Sequence, residues 1–575
     1  MLKIYFIYMK YYILAEVYEK LESISGKLEK THIISKLLIE TPKDLLEKIV
    51  LLIDGRVFPS WSDEELGVAN QLMTRAISKS YGISTDNVVK NFKRTGDLGK
   101  TVEELASKRK QATLGKKELV IDKVFENVQL IAKQTGDGSQ DRKLNLITEL
   151  LVQANPKEAK YIVRTILGEL RIGVAEGILR DAIAEAFKVS PENIENAWFL
   201  NPDYGEIAKI AKERGKEGLE KVKIELGKPI MVLLAEKSPS LEEAINSFDK
   251  VALEYKYDGA RFLVHKKQDK IWIFTRRLEN VTKAFPDVVE LCKKYILTDI
   301  CIVDGEALAI DSKTKRPLPF QIISQRIKRK YDIEKTIKEI PVQLNLFDIV
   351  YLNGKILFDL PLEKRRKILK ETIKEIPGKI QLAKQLITKN LKEADAFYKE
   401  ALKAGHEGLI VKNLDAKYQP GRRVAGGWLK VKPVMESLDL VIIGATWGTG
   451  KRAGWLGSYI LGCRDPDTGK FLECGMLGTG IKEKKTNPED VTFLEMTKLL
   501  KPYVEAEKGN EIKIKPKIVI EVAYEEIQKS PTYSSGWALR FPRFLRLRTL
   551  DKSPEEADTV ERIANLYKIQ KGKKS

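Results

Sequence analysis

A short segment in the middle of the chain concentrates groups that could carry out nucleophilic chemistry. Residues 253–262 read LEYKYDGARF and place Glu254 two positions before Lys256. Residues two apart on a β-strand lie on the same face, so these two side chains are expected to share one environment. A lysine that is partly desolvated and close to other cations loses its proton more readily and becomes a nucleophile. A turn at Asp258 would direct Arg261 back towards the lysine, although a surface hairpin with unrelated charges is the alternative.

Two later segments carry charged groups in positions where charge is costly. Glu306 follows the apolar run of residues 300–303, so its carboxylate is expected to be buried and to need a partner or a metal ion. Lys430 and Lys432 alternate with apolar residues, so both ammonium groups would face one way, with a phosphate favoured between them. Simpler interpretations stay open, namely a structural ion pair for Glu306 and a solvated edge strand for the lysines.

The composition narrows the classes of chemistry that such groups could serve. The chain has 575 residues, with 101 Lys and Arg against 81 Asp and Glu, and a net charge of +20. This charge suggests either a polyanionic partner, most often nucleic acid, or a solvated lysine-rich surface. The 4 cysteines form no C-x-x-C pair and there are 3 histidines, which excludes a zinc ribbon, a disulfide framework and a clustered-histidine site. Hard-metal or lysine–carboxylate chemistry is therefore favoured, in a reducing compartment.

The elements that must position these groups divide the chain into three parts, and the predicted fold class is multidomain α+β. Residues 1–225 have apolar residues at helical spacing and predict an all-α domain. Residues 226–434 mix short apolar or alternating strands with helices and predict a mixed α/β domain. Residues 435–575 are rich in glycine and strand formers and predict a small β-barrel, followed by a charged helix and a basic tail.

One helix of the first part is expected to present a basic face. Residues 162–170 carry an apolar stripe at helical spacing. Arg164, Gly168 and Arg171 fall on another face, at i, i+4 and i+7, if one helix continues to Gly173. Two arginines beside a glycine would let that helix approach a phosphate backbone closely without reading its sequence. A solvated basic stripe is the alternative.

The segment Lys-Tyr-Asp-Gly-Ala-Arg, residues 256–261, resembles motif I, K-x-D-G-x-R, of the covalent nucleotidyltransferases, which include polynucleotide ligases and mRNA capping enzymes. Segments similar to further motifs of this superfamily follow in the same order. They are residues 275–282, residues 304–307 (motif III), residues 346–349 (motif IIIa), residues 407–412 (motif IV) and residues 428–433 (motif V). Because the whole set occurs in order, a chance match is a poor explanation for any one member.

The resemblance implies a role for each residue. Lys256 would attack the α-phosphate of ATP to form a covalent lysyl-AMP, with Mg²⁺ or Mn²⁺ as the metal ion. Glu254 would read the adenine amino group, and Phe347 would stack on the ring. The implied cofactor-binding residues are Glu254, Lys256, Arg261, Arg276, Glu306, Phe347, Arg423, Lys430 and Lys432. The implied metal-facing carboxylates are Asp258, Glu306 and Glu407.

The resemblance extends to both flanks. Residues 164–173 and 177–182 are similar to the helical DNA-binding domain of archaeal and eukaryotic replicative ATP-dependent DNA ligases, and the predicted barrel resembles their OB-fold. The implied DNA-binding residues are Arg164, Gly168, Arg171 and Arg180. Residues 538–552 are similar to motif VI, which implies that Arg540 and Arg543 orient the pyrophosphate.

The chain is thus identified, by resemblance, as a member of the archaeal-type ATP-dependent DNA ligases. That membership implies sealing of nicks in duplex DNA in replication, repair and recombination. A cytoplasmic monomer without membrane attachment is expected. Gln111 stands where some archaeal relatives carry a sliding-clamp motif, but the two aromatic residues of that motif are missing, so clamp binding through this segment is in question. Whether ADP or GTP can replace ATP is also open.

Other classes share part of this pattern. An RNA ligase or a capping enzyme would share motif I, but the long helical N-terminal part argues against both. A non-catalytic nucleic-acid clamp would explain the charge but not the lysine–carboxylate set. A P-loop NTPase needs G-x-x-x-x-G-K-[ST], a spacing that residues 448–451 lack. An NAD-dependent ligase would carry a four-cysteine zinc site after the barrel, whereas no cysteine follows Cys474.

Overall fold

The computed structural model describes residues 9–108, 118–329, 332–421, 426–433, 435–449, 452, 454–549 and 551–570, so the predictions for Gln111 and Arg423 lie outside the described residues. The N-terminal part is helical, as the sequence predicts. Its helices are α1 (Tyr11–Ser23), α2 (Lys27–Glu40), α3 (Lys43–Ile53), α4 (Asn70–Tyr81), α5 (Thr85–Thr95), α6 (Leu98–Ser107), α7 (Ile121–Ala132), α8 (Ser139–Gln153), α9 (Pro156–Ile166), α10 (Glu176–Ala186), α11 (Pro191–Leu200) and α12 (Tyr204–Glu220). Their apolar faces pack into one core.

Local sequence signals set the starts of these helices. Asn155 and Glu158 form a capping box at the start of α9, with Pro156 at its first position. Asp97 caps α6 by accepting hydrogen bonds from two backbone amides of the first turn. These caps satisfy backbone groups that would otherwise have no partner, and they fix where α6 and α9 meet.

The helix that carries Arg164 ends earlier than its apolar spacing predicts. Helix α9 ends at Ile166, and Gly168 follows in the left-handed region with a φ of 69°. Glycine adopts this conformation without the steric cost of a Cβ, and it commonly terminates a helix in this way. The expectation of one helix as far as Gly173 is therefore wrong. Arg164, Gly168 and Arg171 do not share a helical face.

Arg164 points into the bundle, where the sequence predicted a solvated or DNA-facing stripe. Its side chain is 2% exposed, and its guanidinium donates to Asp97 Oδ2 at 2.7 Å and to Glu22 Oε2 at 2.9 Å. Burial acts to raise the pKa of Asp97, but the hydrogen bonds and charge of Arg164 outweigh it and lower that pKa. We interpret Arg164 as a structural tie between α1, α9 and the cap of α6, because its guanidinium is not presented to a phosphate backbone.

The middle part contains two β-sheets with helices packed against them. Its strands are β1 (Glu236–Lys237), β2 (Val251–Lys256), β3 (Ala260–Lys267), β4 (Lys270–Thr275), β5 (Ile300–Ala309), β6 (Val342–Leu352), β7 (Lys355–Ile356), β8 (Ile380–Leu382), β9 (Gln385–Ile387), β10 (Gly408–Asn413) and β11 (Trp428–Val431). Its helices are α13 (Leu241–Asn246), α14 (Pro286–Tyr295), α15 (Phe320–Ile327), α16 (Ile333–Glu339), α17 (Leu362–Thr372) and α18 (Leu391–Lys403). The first sheet has the order β1-β11-β10-β2-β9, and the second has the order β4-β3-β5-β6-β7 with β8 beside β6.

Strand pairing brings distant parts of the sequence to one cleft between the sheets. Directly after Lys256 the chain passes from β2 to β3, and so from the first sheet to the second. In the first sheet Lys256 pairs with Gly408, next to Glu407. In the second sheet Arg261 pairs with Glu306. Side chains from both sheets therefore line the same cleft.

Gly408 allows a close approach between β10 and β11 at this point. Its φ is 141°, and a Cβ at this position would overlap the carbonyl oxygen of Val431. A glycine is therefore needed here for steric reasons. The close approach holds Glu407 near the ends of β2 and β11, where Lys256 and Lys432 lie.

The C-terminal part is rich in strands, as the sequence predicts. Its elements are β12 (Leu438–Trp447), β13 (Leu456–Arg464), β14 (Phe471–Leu477), α19 (Phe493–Leu500), β15 (Val504–Lys508), β16 (Glu511–Ile514), β17 (Val519–Ala523), β18 (Glu526–Lys529), β19 (Trp537–Arg540), β20 (Arg543–Leu547) and α20 (Val560–Gln570). A sheet of order β14-β13-β12-β16-β15 is extended by β17 and β20, while β18 and β19 pair separately. Among the described helices of the whole chain, none has the length and apolar character that crossing a membrane requires.

Replacing Arg164 with methionine is expected to destabilise the helical part. Removing this cation takes its closer charge partner from buried Asp97 and leaves Arg171 Nη1 at 3.3 Å, and breaking a buried pair costs up to about 3–5 kcal/mol. Arg75→Met is the matched control, because Arg75 is 53% exposed and its pair with Asp141 is worth at most about 1 kcal/mol. The free energy of unfolding in urea, followed by circular dichroism, measures both effects. Equal stability of the two variants would contradict the structural role of Arg164.

Candidate active site

The cleft between the two sheets opens into a cavity of about 1250 Å³. Pockets for small ligands usually measure roughly 300–1,000 Å³, so this larger cavity leaves room for part of a polymer as well. The predicted site residues that line it are Glu254, Lys256, Asp258, Arg261, Arg276, Glu306, Phe347, Glu407, Lys430, Lys432 and Arg540. Arg543, which the structure also describes, lies outside the cavity wall.

Glu407 lies between two lysines of the cavity. Its Oε2 atom accepts a hydrogen bond from Lys256 Nζ at 2.5 Å and forms an ion pair with Lys432 Nζ at 2.6 Å. Burial acts to raise the pKa of Glu407, but the two ammonium groups outweigh burial and lower it well below its usual value. The carboxylate that the resemblance assigned to a metal ion is thus engaged by lysines in this structure.

The lysines of the first sheet converge on one region, as their alternation in the sequence predicts. Lys430 and Lys432 both line the cavity together with Lys256. A phosphate has the charge and the acceptor oxygens to bind such a group of ammonium ions. The cluster can therefore hold a phosphoryl group next to Lys256, the predicted nucleophile.

Glu306 faces this cluster from the second sheet. Its carboxyl reaches the cavity but is withdrawn from bulk water, and burial raises its pKa to about 8 despite the nearby charges of Lys256 and Arg261. At neutral pH the carboxyl therefore holds a proton in the free protein. A cation bound beside it would favour the ionised form.

Arg261 is held by an acidic partner within the wall. Its Nε donates to Asp304 Oδ1 at 2.9 Å and its Nη2 to Asp304 Oδ2 at 2.5 Å, while its Nη1 donates to the Leu233 carbonyl at 2.6 Å. The guanidinium carbon lies 5.5 Å from the ring centroid of Phe347 and 5.4 Å from that of Trp428. Most of the donors of Arg261 are thus used inside the protein, and its planar group supports the aromatic side of the cavity.

The aromatic end of the cavity contains a residue that sequence reasoning missed. Lys412 forms an ion pair with Glu254 at 2.6 Å beside the rings of Phe347 and Trp428. The available signal was a lysine at the end of the apolar run 409–411, where a solvated charge is not expected.

A basic rim surrounds the far side of the cavity. Arg276 lines it together with Arg277, Lys283, Lys328 and Arg329. The N-terminal part reaches the same rim, because Asp63 lies 3.2 Å from Lys283 Nζ. Such a rim suits a polyanion that extends beyond a single nucleotide.

The motif VI residues separate into two groups. Arg540 lines the cavity, where its guanidinium carbon lies 5.6 Å from the Phe320 ring and its Nη1 lies 3.4 Å from Glu526. The neighbouring Phe541 also lines the cavity and has a φ of 51°, a strained value for an aromatic residue.

The later basic residues of motif VI are engaged within the strand-rich part itself. Arg546 pairs with Glu521 at 2.6 Å, and both Arg548 and Lys552 contact Asp439, at 3.3 and 2.5 Å. These cations are held away from the cavity by their partners. Of the two arginines that resemblance assigned to the pyrophosphate, Arg540 and Arg543, only the first lines the cavity of this structure.

The other residues with an implied DNA contact lie nearer the surface than Arg164. Gly168 has open space around its Cα, with nothing within 4 Å of where a Cβ would be. Arg171 and Arg180 are 25% and 29% exposed, and each is paired with acidic neighbours, Arg180 with Asp181 at 2.7 Å. Their contact with DNA stays a prediction.

The acidic side chains of the cavity can be tested for their fit to a divalent metal. Within the described residues, no group of three or more His, Cys, Asp or Glu side chains could hold an ion. Mg²⁺ does not need such a cage, because it keeps several waters and binds to one or two carboxylates together with substrate phosphates. Glu306 fits this requirement as a partly buried oxygen donor whose charge a cation would stabilise, and Asp258 is buried in the same wall.

Comparison with known protein families covers most of the chain. Residues 10–184 match the family model "DNA ligase N terminus". Residues 232–432 match "ATP dependent DNA ligase domain", and residues 452–551 match "ATP dependent DNA ligase C terminal region". The cavity described above lies mainly within the second of these matches.

Whole-length relatives agree with the family models. The chain is 50% identical to the DNA ligase of Nanoarchaeum equitans (strain Kin4-M), over 98% of this chain and 99% of that protein. It is 48% identical to the DNA ligase of Thermococcus onnurineus (strain NA1), over 98% of each. The solved structure "Pmar-Lig_PreS3" has a TM-score of 0.57 and 18% identity, and covers 93% of this chain and 99% of its own length, which is a likeness of fold alone.

Replacing Glu306 with glutamine is expected to change how stability depends on pH. Between the ordinary glutamate pKa of 4.5 and about 8, the folded parent holds a proton that its unfolded state has released. The parent therefore loses stability as pH rises through that window, by at most about 1.4 kcal/mol per pH unit, whereas Glu306→Gln does not. The gain of the variant over the parent should grow between about pH 5 and about pH 8 and then level off. Urea unfolding across this range measures it, and a constant difference would show that the carboxyl titrates normally.

Proposed function

The chain belongs to the ATP-dependent DNA ligases and seals nicks in DNA with ATP, and on that premise we propose how its own residues carry the reaction. Lys256 is the nucleophile. Its Nζ attacks the α-phosphorus of ATP, so that a P–N bond forms while the bond to the pyrophosphate oxygen breaks. The supporting observation is that Lys256, Glu407 and Lys432 meet within one cavity.

Glu407 positions the nucleophile in this first step. Its Oε2 lies 2.5 Å from Lys256 Nζ and orients that nitrogen in the cavity, while the proton that the lysine must lose before it attacks passes to water. Lys430 and Lys432 then stabilise the negative charge on the transferring phosphoryl group. Phosphoryl transfer depends on positioning and charge more than on histidine-type acid–base groups, which is consistent with the small number of histidines.

The adenylate is next transferred from the lysine to the 5′-phosphate at the nick. The P–N bond breaks as a phosphate oxygen of the DNA attacks the same phosphorus, and the 3′-hydroxyl then attacks the activated 5′-phosphate so that AMP leaves. Arg276 and the basic rim hold the 5′-phosphate strand. The size of the cavity supports this, because it has room for more than a nucleotide.

Glu306, Asp258 and Glu407 would hold the divalent metal, Mg²⁺ or Mn²⁺. When bound, the ion supplies positive charge against the phosphate oxygens. Glu306 would be ionised when it holds the ion, and Arg261 keeps the wall around Glu306 in place through Asp304. At the other end Glu254 accepts a hydrogen bond from the adenine amino group, and Phe347 stacks on the ring.

Arg540 orients the pyrophosphate, and Arg423 binds nucleotide. Arg171, Arg180 and the open backbone at Gly168 contact DNA phosphates. We propose domain limits of 1–225 for the helical DNA-binding domain, 226–434 for the adenylation domain and 435–575 for an OB-fold domain. We also propose that the chain acts as a monomer in the cytoplasm.

Lys256→Ala is expected to abolish the covalent protein–AMP that forms from α-labelled ATP and Mg²⁺, because the P–N bond then has no nitrogen at this position. Lys270→Ala is the matched control, since Lys270 is an exposed lysine at the start of β4. Denaturing gel electrophoresis detects the labelled band. A band that survives in Lys256→Ala would contradict the assignment.

A nick that already carries a 5′-adenylate tests whether Lys256→Ala has lost only the adenylation step or has also lost its fold. The last step does not use Lys256, so Lys256→Ala should still seal this substrate, and denaturing electrophoresis of the DNA measures the product. Loss of sealing, with a circular dichroism spectrum like that of the parent, would show that Lys256 has a role beyond the P–N bond.

A further inference from the structure

Lys412 is a charged side chain in a place where charge is costly. It lies on β10, and its side chain is 2% exposed. Burial lowers the pKa of its ammonium group, although Glu254 acts in the opposite direction. A buried ion pair is weak support for stability, because apolar residues of similar shape often stabilise a fold as well or better. None of the reaction steps above uses this lysine, so its presence needs another explanation.

The ammonium group of Lys412 fixes one carboxylate of the cavity. Its Nζ lies 2.6 Å from Glu254 Oε2, and Gln385 Nε2 donates to the other oxygen, Oε1, at 2.8 Å. With one partner on each oxygen, the plane of the carboxylate is set. A carboxylate has about four acceptor sites, so acceptor capacity is left for a ligand in the cavity that Glu254 lines.

The same ammonium group also contacts the aromatic wall. Lys412 Nζ lies 4.4 Å from the ring centroid of Phe347 and 4.2 Å from that of Trp428. The two rings are nearly perpendicular, at 84° with centroids 5.6 Å apart, and both line the cavity. A cation over an aromatic face is attracted by the ring, most strongly where water is excluded. One buried group therefore orients both an acceptor and an aromatic surface.

We propose that Lys412 is a positioning residue that gives this ligase its preference for adenine nucleotides. It holds Glu254 so that the carboxylate accepts a hydrogen bond from the 6-amino group, and it holds Phe347 beside the purine ring. A 6-oxo purine such as hypoxanthine presents an acceptor to the same carboxylate, and two acceptors repel each other. This inference rests on the proposed adenylate site in the cavity.

Lys412→Met is expected to lower kcat/KM for covalent adenylation with ATP about tenfold to a hundredfold. This is the effect of losing the hydrogen bond from the adenine amino group to the charged carboxylate of Glu254. The loss should appear mainly in KM for ATP, because Lys412 does not touch the reacting phosphate. The rate with ITP, which has a 6-oxo group, should change much less. The ratio of kcat/KM for ATP to that for ITP should therefore fall, and Lys412→Arg, which keeps the charge, should restore part of it.

Gln385→Ala is a second variant that does not place an unpaired charge in the interior. Gln385 lies on the edge strand β9 and is partly exposed, so this variant is expected to fold. Loss of its single hydrogen bond to Glu254 should lower the ATP to ITP ratio about twofold to tenfold. Lys267→Met, at an exposed lysine of β3, is the matched control and should leave the ratio unchanged.

Labelled protein–nucleotide formation with ATP and with ITP gives the two kcat/KM values, and thermal unfolding by circular dichroism monitors the fold. An unchanged ratio in Lys412→Met and in Gln385→Ala, with protein–AMP still formed, would overturn the proposal. If Lys412→Met does not fold, the ratio of kcat/KM for ATP to that for ITP in Gln385→Ala tests the proposal by itself, and an unchanged ratio would overturn it. A covalent adduct in Lys256→Ala would instead overturn the proposed nucleophile, and the proposed recognition of the adenine ring by Glu254 and Phe347 would still stand.

Discussion

The ammonium groups of the cavity repel each other, and the negative charge of Glu407 offsets this repulsion. It lies within 2.6 Å of both Lys256 and Lys432. The fold places it there by letting β10 approach β11 at Gly408, where a side chain would collide with the neighbouring backbone. The charge cluster is therefore assembled in the free protein, and a substrate phosphate can replace part of the role of the carboxylate when it arrives.

Other cations around the walls of the cavity are also paired with carboxylates. Arg261 is held by Asp304, and Lys412 is held by Glu254. Behind the second sheet, Arg365 of α17 pairs with Asp348 of β6, and both side chains are fully buried. Each pair satisfies a buried charge and also fixes the position of a strand that carries a site residue. Groups fixed in this way need little rearrangement when charge develops on a phosphate, which is how preorganised sites stabilise a transition state.

This arrangement shows where part of the net positive charge of the chain is located. Part of the net charge of +20 is local, in the lysines and arginines that line one cavity. Residues from the helical part, such as Asp63, and from the strand-rich part, such as Arg540, reach the same cavity. The proposed nucleotide site continues into a basic rim, as expected for a member of the ATP-dependent DNA ligases, in which the adenylate must meet a DNA strand.

The sequence by itself determined the three-part architecture and most of the candidate site. Periodicity identified the helical, mixed and strand-rich parts, and alternation along strands placed Lys430 and Lys432 on one face. The ordered motifs also pointed to Lys256, Glu306 and Glu407, all of which line the cavity. The tertiary structure decided which charges face a ligand and which are used internally: Arg164 is taken up by Asp97 and Glu22, and Lys412 joins Glu254. Local spacing defines the face of an element, whereas the burial and partners of a charge depend on segments far away in the chain, and only the packed fold brings those segments together.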